Sequence, residues 1–362
     1  MNDITIHNIT FKQIEDGYDF GDDRFHISSL YNQAAQKAFL SSPTLVNKEQ
    51  IHIYLRKVDG INAGIGFSFP TKIKSDSNIY NATSGSTLEV YEKFRKLALG
   101  ADIILSPVQN KDNEFLIFAG ISEMALPLYK KLRFTIFEYP RAMQLRNARC
   151  ILESKGFKGK NLSICSTVLN LPIKVICWFG RLRSKIVQRE FNVESVDTVP
   201  SWVTNISIND GHRFMEVHDQ EWLQWNLENN LHAEERDIQS FYTIYRNKEP
   251  YGFFMTKERF RSEAGGVLHN VVIGSIMEWG SKDESILSEK TIIQLALSTF
   301  GKIDILEFAT TDNSVIKSMK KYGFIQHGFA HIAIKDLKKR FKESSIIENW
   351  RIRFGYADVM LT

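Results

Sequence analysis

The segment EVYEKFRKLALGAD, residues 89–102, combines basic, small and apolar residues in an order suited to binding an anion. Arg95 and Lys96 supply positive charge, and the small residues Ala98 and Gly100 follow where a helix is predicted to begin. Backbone N–H groups at a helix start, together with the helix dipole, bind phosphate when small residues let it approach the backbone. The segment is therefore a candidate diphosphate-binding loop. An ordinary helix start packed on small residues is the alternative.

A short phrase occurs twice in the chain, as LYKKLRF at Leu128–Phe134 and as SMKKYGF at Ser318–Phe324. The two copies are 324 − 134 = 190 residues apart, and the first carries Tyr129 where the second carries Met319. A tyrosine hydroxyl can donate a proton in a reaction, whereas a methionine side chain has none to give. Tyr129 is therefore a candidate proton donor, and a packing residue with a satisfied hydroxyl is the alternative.

The neighbours of the phrase repeat as well at this offset, in the order strand, strand, strand, helix, strand, helix, strand. The first half is predicted to contain strands over 51–60, 61–73 and 85–94, a helix over 95–108, a strand over 114–121, a helix over 122–132 with Ser122 as N-cap, and a strand over 133–143. The second is predicted to contain a hairpin over 239–260, a strand over 269–280, a helix over 288–301 from Ser288 to Gly301, a strand over 303–311, a helix over 312–323 ending at Gly323, and a strand over 324–334.

This repeat predicts two α/β domains. We expect the first over 1–145 and the second over 201–340, joined by a helical connector over 146–200 and followed by a tail over 341–362.

The connector contains an apolar stretch over 161–185 that ends in basic residues. Because Pro172 and Lys174 interrupt it, the stretch is not predicted to span a bilayer. The first interpretation is an amphipathic connector packed between the domains. The second is a helix lying on a membrane surface, with weak membrane association.

The composition limits the function classes. The 362 residues carry a net charge of +4, with basic residues dispersed along the chain, which favours anionic small molecules over nucleic acid. Three cysteines cannot all pair and show no metal-ligand spacing. The first residues lack a basic region followed by an apolar run. We therefore expect a cytoplasmic protein with reduced thiols and no metal.

The repeated plan, the loop and the helix–strand phrase together resemble the GNAT superfamily of acyl-CoA-dependent N-acyltransferases. The resemblance covers each half once and implies mixed, mostly antiparallel sheets flanked by helices (α+β). The family loop, Arg or Gln-x-x-Gly-x-Gly or Ala, is matched at Arg95 and Gly100 with Ala98 for the first glycine. Arg133 replaces the glycine usual before the last strand, so the turn there cannot depend on a left-handed glycine.

The resemblance also implies roles for individual residues. Tyr129 would protonate the departing thiolate of coenzyme A, since its reference pKa of about 10 is close to the roughly 8.5 of a thiol. A backbone N–H near Glu89 to Tyr91 would polarise the thioester carbonyl. Glu89 is the candidate general base, with His26 and His269 less specific. The implied acyl-CoA contacts are Val90, Tyr91, Arg95, Lys96, Ala98, Leu99, Gly100, Ala101 and Ser122.

The second half lacks the basic loop. At the same offset Arg95 corresponds to Ser285 and Gly100 to Lys290, and the window holds Asp283, Glu284 and Glu289. These carboxylates would repel a diphosphate, so only the first half is predicted to bind acyl-CoA.

A further resemblance concerns the acceptor. EVHDQEWLQWNL before the second hairpin and the tail ENWRIRFGYAD resemble tandem GNAT enzymes of bacterial surface polysaccharide and lipopolysaccharide biosynthesis, which acylate a nucleotide-linked amino sugar such as a dTDP-linked amino-dideoxy sugar. That setting implies acceptor binding by the second half, with Trp222, Trp225 and Trp279 as candidate walls. A peptidoglycan-type aminoacyl transferase and a non-catalytic coenzyme A or nucleotide-sugar binding module are the alternatives. The acyl chain and the oligomeric state are left open.

Overall fold

A computed structural model describes residues 3–21, 32–229, 237–264 and 268–356. The first half consists of strands and short helices, with β2, β3 and β4 consecutive in the chain. Its elements are β1 (Ile4–Thr10), α1 (Phe11–Glu15), α2 (Gln33–Leu40), β2 (Ile51–Val58), β3 (Ile61–Ser75), β4 (Asn78–Val90), a 3-10 helix (Glu92–Leu97), α3 (Leu99–Leu105), a 3-10 helix (Ser106–Gln109), β5 (Phe115–Ala119), α4 (Leu126–Lys131) and β6 (Thr135–Leu145).

The connector and the second half follow. Their elements are α5 (Arg149–Ser154), α6 (Gly159–Val187), β7 (Asn192–Val196), α7 (Trp202–Ile208), β8 (Phe214–Glu216), α8 (Gln220–Glu228), β9 (Ile238–Arg246), β10 (Glu249–Ala264), β11 (Leu268–Ser281), α9 (Glu289–Ala296), β12 (Ile305–Ala309), α10 (Asn313–Met319), a 3-10 helix (Lys320–Tyr322), β13 (Ile325–Asp336) and 3-10 helices at Lys342–Ser345 and Ile347–Asn349.

The repeat of 190 residues is present in the structure. β5 begins at Phe115 and β12 at Ile305, and 305 − 115 = 190. α3 begins at Leu99 and α9 at Glu289, which gives 289 − 99 = 190. The order of elements therefore repeats, and at these two element starts the offset is the one read from the sequence.

The two halves share one mixed sheet instead of forming two separate ones. Its strand order is β1-β2-β3-β4-β5-β13-β6-β12-β11-β10-β9-β7, and β8 pairs with β3. Within this sheet β4–β5 and β11–β12 are parallel pairs, and the other pairs are antiparallel. The closing strand of each half is exchanged, because β13 pairs with β5 and β6 pairs with β12. Residues 1–145 therefore do not contain all the strands of the sheet half that they build.

Other sequence expectations need local correction. The connector over 146–200 includes β7, an edge strand paired with β9, so it is not wholly helical. The tail is part of the core, with Trp350 and Tyr356 buried. The helix predicted over 288–301 ends at Ala296, so Gly301 does not terminate it, whereas Ser288 accepts a capping hydrogen bond from the N–H of Thr291. Gly323 is left-handed at φ 85° at the end of its helix, as predicted.

One face of the sheet carries a continuous apolar core that crosses both halves, including Phe67, Phe115, Phe253 and Ile332. The opposite face carries the helix pairs α3/α4 and α9/α10, each with its own core. α3 is held on this face by Arg56 of β2, whose buried guanidinium pairs with Asp102 and donates to Ser106 Oγ at 2.6 Å.

The long helix α6 is not packed between the domains, contrary to the first interpretation of its sequence. It lies on the outside of the second half, and only 11% of its most apolar 18-residue stretch is buried. In the described part of the chain it is the helix that is long and apolar enough to cross a membrane.

Candidate functional site

The parallel strands β4 and β5 separate at one end. Their pairing runs from Ala82–Phe115 to Gly85–Phe118 and stops there. Directly after this point β4 has an irregular register against β3, with Thr87 at φ 46°. A bulge bends a strand and strengthens its twist, so β4 turns away from β5. We call the gap beyond Gly85 and Phe118 the β4–β5 opening.

The predicted anion loop lies at the far end of this opening, between β4 and α3. Ala98 precedes α3 in the left-handed conformation, with φ 57° and ψ 16°, and its methyl side chain cannot cap the helix. The first N–H groups of α3 have no acceptor within the helix. Arg95 and Lys96 are exposed beside it, and Arg95 Nε donates to Val90 O at 3.4 Å. The predicted basic helix start is therefore present and open to solvent.

Gly100 brings three elements together. A Cβ atom on Gly100 would lie 3.4 Å from Leu128 of α4 and 3.6 Å from Val90 of β4. The start of α3, the end of β4 and α4 therefore meet at one point, next to the opening. Ala101 and Leu99 belong to the same turn, and Leu99 is buried under it.

Tyr129 lies on α4 in the apolar cluster that lines this face. It is 3% exposed, and its ring centroid lies 5.1 Å from that of Phe118 and 5.4 Å from that of Phe134. Phe118 in turn covers Gly85, where a Cβ atom would come within 1.9 Å of the phenyl ring. Tyr129 is thus separated from the start of the opening by one aromatic ring. Its role as proton donor stays a prediction.

The remaining predicted site residues are dispersed around the opening. Glu89 is exposed on β4 beyond the bulge, and the N–H of Tyr91 donates to Ala63 O at 2.9 Å, so the Tyr91 amide is already used. Ser122 does not cap α4, which begins at Leu126; its carbonyl accepts from the N–H groups of Ala125 and Leu126. His26 and the side chain of His269 lie outside the described residues.

His331 reaches the site from the second half and was missed in the sequence. The backbone of β13 runs beside the end of β5, where the N–H of Ile121 donates to His331 O at 3.4 Å. The buried imidazole Nε2 lies 3.6 Å from Glu123 Oε1 and 3.5 Å from Glu138 Oε1. A histidine between two carboxylates can accept a proton. The repeat alone could not reveal it, because only the strand exchange brings β13 next to β5.

A separate cavity of about 890 Å³ lies on the same half at the opposite end of β4. Tyr54, Ser68, Thr83 and Asn113 are among its lining residues. It lies away from the basic loop and does not belong to the opening.

Comparison with solved structures identifies the architecture. No family model and no curated protein sequence matches this chain. A GCN5-related N-acetyltransferase from Anabaena variabilis ATCC 29413 has a TM-score of 0.52 at 10% identity, over 92% of this chain and 73% of its own. Saccharomyces cerevisiae N-myristoyltransferase, solved with bound myristoyl-CoA, has a TM-score of 0.55 at 12% identity, over 92% and 82%.

The chain has the GNAT fold. A probable N-acyltransferase from Enterococcus faecalis V583, a conserved protein of unknown function, matches it as well, with a TM-score of 0.55 at 9% identity over 94% of this chain and 75% of its own.

In the second GNAT-like half the equivalent helix start is closed by the chain itself. Ser288 caps α9, and Asp283 Oδ1 accepts from the N–H of Ser285 at 2.9 Å and from its hydroxyl at 2.6 Å. A side chain therefore caps this helix start, whereas at the start of α3 the N–H of Ala101, equivalent to Thr291, donates to the carbonyl of Ala98 at 3.1 Å.

The tail closes the equivalent opening of this second half. Pairing of β11 with β12 stops at Ile276–Phe308. Beyond this pair, residues 351–356 of the tail contact the backbone of β11 on one side and of the segment after β12 on the other. The N–H of Gly355 donates to Met277 O at 2.9 Å. The backbone of Arg353 forms an antiparallel β-bridge with Thr310, and its guanidinium forms an ion pair with Glu278. Burial alone would raise the pKa of Glu278, but Arg353 and His218 beside it lower that pKa to about 2, so the ion pair is retained.

The three predicted acceptor walls of the GNAT-like second half are packing residues. Trp222 stacks on His218 with ring centroids 3.7 Å apart, Trp225 Nε1 donates to Ala38 O at 2.8 Å, and Trp279 lies under Arg353. All three indoles are buried. They have no face open to a ligand, so the prediction that they line a cleft is wrong. Trp222 and Trp225 pack in the core shared by both halves, and Trp279 packs in the core beneath α9 and α10.

Proposed function

We propose that this protein is an acyl-CoA-dependent N-acyltransferase whose acyl donor binds in the first half. The observation that carries the proposal is an asymmetry between two equivalent places. The first half has an open strand gap and an uncapped, basic helix start. In the second half the tail closes the gap, and Ser288 caps the helix.

The loop suits the diphosphate of coenzyme A. Arg95 and Lys96 are exposed next to the first N–H groups of α3, where the helix dipole favours negative charge. From there the pantetheine arm would follow the end of β4 into the β4–β5 opening. Saccharomyces cerevisiae N-myristoyltransferase, which has the same fold, carries myristoyl-CoA in its structure, and this supports an acyl-CoA donor.

The reaction is direct attack of an amine on the thioester carbonyl. The nitrogen forms a bond to the carbonyl carbon, the carbon–sulfur bond breaks, and the thiolate takes a proton from Tyr129. The amine proton passes to a base, for which we propose His331, whose Nε2 lies 3.6 Å from Glu123 Oε1 and 3.5 Å from Glu138 Oε1, with Glu89 as the second candidate. Holding the two reactants together supplies about 7–11 kcal/mol of the barrier.

For the acceptor we propose the amine of a nucleotide-linked amino sugar. The support for this is the resemblance of EVHDQEWLQWNL and ENWRIRFGYAD to such enzymes. Trp222, Trp225 and Trp279 are buried and are not part of this proposed acceptor site.

The decisive experiment measures free thiol release from acetyl-CoA and longer acyl-CoAs against a panel of nucleotide-linked amino sugars. We expect at least one amino sugar to accelerate thiol release and to gain the mass of the acyl group. Coenzyme A binding without acceleration by any amine would favour a binding module. Transfer from a charged tRNA would favour an aminoacyl transferase.

A further inference from the structure

The helix α6 carries large apolar side chains on the face turned away from the protein, where an ordinary surface helix is polar. Its buried residues are Leu162, Ser166, Gly180 and Ser184, three of which are small. At 100° per residue, the opposite face carries large apolar side chains. These are Ile164, Val168, Leu171, Val175, Trp178, Phe179, Leu182 and Ile186, and all of them are exposed.

The exposure of this face is large. Trp178 is 56% exposed and Ile164 is 62% exposed, and the face extends along most of a helix of 29 residues. Soluble proteins rarely leave a contiguous apolar surface of this kind to water, and such surfaces mark a binding partner.

The charges on α6 indicate which partner fits. From Gly159 to Val187 the sequence has five basic residues and no acidic residue. Lys174, Arg181 and Lys185 lie on one flank of the apolar face, and Arg183 lies on the other. An apolar face flanked by cations complements a bilayer surface with anionic headgroups. A second copy of α6 would instead bring like charges together.

The attachment of α6 to the second half requires that it lie in the plane of the surface. Arg183 Nη1 donates to Lys321 O at 2.8 Å, and directly after the helix Gln188 Nε2 donates to Ser298 Oγ at 2.7 Å. Asn170 Oδ1 of α6 also accepts from the N–H of Ala148, just before α5, at 2.7 Å. Gly180 packs against the ring of Tyr322. A spanning orientation would break these contacts along the whole helix, whereas an in-plane orientation keeps all of them.

We propose that α6 docks the protein onto an anionic lipid surface, with its outer apolar face entering the boundary between headgroups and acyl chains. The docked face is separate from the β4–β5 opening and does not depend on the proposed reaction.

The test uses the full chain and vesicles of phosphatidylcholine alone or mixed with phosphatidylglycerol. We expect co-sedimentation with the mixed vesicles, partial release by salt, and a blue shift of tryptophan fluorescence from Trp178, the most exposed of the six tryptophans. Failure to sediment with mixed vesicles would overturn the proposal.

Matched variants distinguish docking through the outer face of α6 from nonspecific association with vesicles. Trp178→Ser combined with Phe179→Ser should weaken vesicle binding about tenfold or more while the unfolding temperature stays that of the parent. Lys174→Gln with Lys185→Gln should weaken binding to mixed vesicles about fivefold for each charge removed. The control is Val46→Ser, at a residue that is 85% exposed and lies outside α6, and it should bind like the parent. Equal losses in the control would contradict a role of this face.

Two further outcomes would replace the proposal. If the protein is a dimer in vesicle-free solution and the Trp178→Ser, Phe179→Ser variant is a monomer, the face is an interface between copies. If bound protein resists both high salt and alkaline carbonate, α6 spans the bilayer.

Discussion

Ala98 and Ser288 occupy the same place in the two halves, each directly before the equivalent helix, and 288 − 98 = 190. Ala98 is left-handed and cannot cap α3, whereas Ser288 is extended, at φ −68° and ψ 156°, and accepts from the N–H of Thr291. One helix start therefore has a side-chain cap and the other has none, and we propose that the uncapped one binds the diphosphate of the acyl donor.

Replacing Ala98 by glycine should stabilise the fold and retain coenzyme A binding. A left-handed residue with a Cβ atom costs roughly 1–2 kcal/mol, and the greater freedom of glycine in the unfolded chain offsets part of the gain. We expect the free energy of unfolding in urea to rise by about 0.5–1 kcal/mol. The dissociation constant of coenzyme A, measured by calorimetry, should not increase.

The matched variant is Ser288→Ala, which removes a cap and should lower the free energy of unfolding by about 1 kcal/mol. It should leave coenzyme A binding unchanged. Weaker coenzyme A binding in Ser288→Ala than in Ala98→Gly would mean that the donor binds in the second half.

Removing the charge of Arg95 should weaken coenzyme A binding. The guanidinium is exposed at the uncapped start of α3, so Arg95→Ala removes a diphosphate contact without leaving a buried group unpaired. We expect an increase in the dissociation constant of about tenfold, corresponding to about 1.4 kcal/mol for a hydrogen bond to a charged group. Ser285→Ala, at the equivalent position, is the control. Equal losses at both positions would contradict the assignment of the donor site.

How far the sequence predicts this molecule depends on which signals are local. The repeat could be predicted because helix and strand periodicities, Ser288 and Gly323 act within a few residues. The exchange of β6 and β13 between the two halves could not be predicted. Both closing strands alternate in the same way, and nothing in that pattern says which half a strand pairs with. His331 was missed for this reason.

The burial of the large side chains could not be predicted from the local sequence pattern either. Trp222, Trp225 and Trp279 look the same in sequence whether they line a cleft or fill a core, and only the packed structure separates the two. In α6 the small residues Gly180 and Ser184 are buried while Trp178 and Phe179 are exposed, so the apolar stripe of its sequence does not mark the face that packs on the protein.

Tyr129→Phe should lower turnover by about tenfold or more, the low end for an acid–base group. The phenyl ring keeps the contacts with Phe118 and Phe134, so coenzyme A binding and the unfolding temperature should change little. The control is Met319→Leu, at the buried equivalent position, which should leave turnover unchanged. Unchanged turnover in Tyr129→Phe would remove this residue from its proposed role.

Arg133→Gly should stabilise the first half at the turn before β6. Arg133 is left-handed at φ 60°, the conformation that Gly323 holds at φ 85° in the second half. Lys335 Nζ bonds to Leu132 O at 2.7 Å, a backbone contact that the substitution keeps. We expect the free energy of unfolding to rise by about 0.5–1 kcal/mol.

The opposite substitution, Gly323→Ala, tests the same turn from the other side. It would combine a left-handed φ with a Cβ atom 2.5 Å from Ile176 of α6, and should therefore destabilise the protein by at least about 1–2 kcal/mol. Equal effects of the two substitutions on the urea midpoint would mean that backbone strain does not determine stability at this turn.

Acid should destabilise the first half through His52. The imidazole is buried, stacks on Phe11 with ring centroids 4.3 Å apart, and its Nδ1 donates to Ser68 O at 2.6 Å. Burial lowers the pKa of His52 to about 4 from its ordinary value of 6.5, although the bond to Ser68 opposes the shift. The unfolded chain therefore binds a proton at a higher pH than the folded one. The contribution of His52 to the free energy of unfolding is fully present above pH 6.5 and is lost as the pH is lowered towards 4, by an amount of the order of 3 kcal/mol.

His52→Gln removes the titrating group, so the urea midpoint of this variant should vary less with pH across this window than that of the parent. A parallel dependence in the two proteins would show that other groups cause the acid sensitivity.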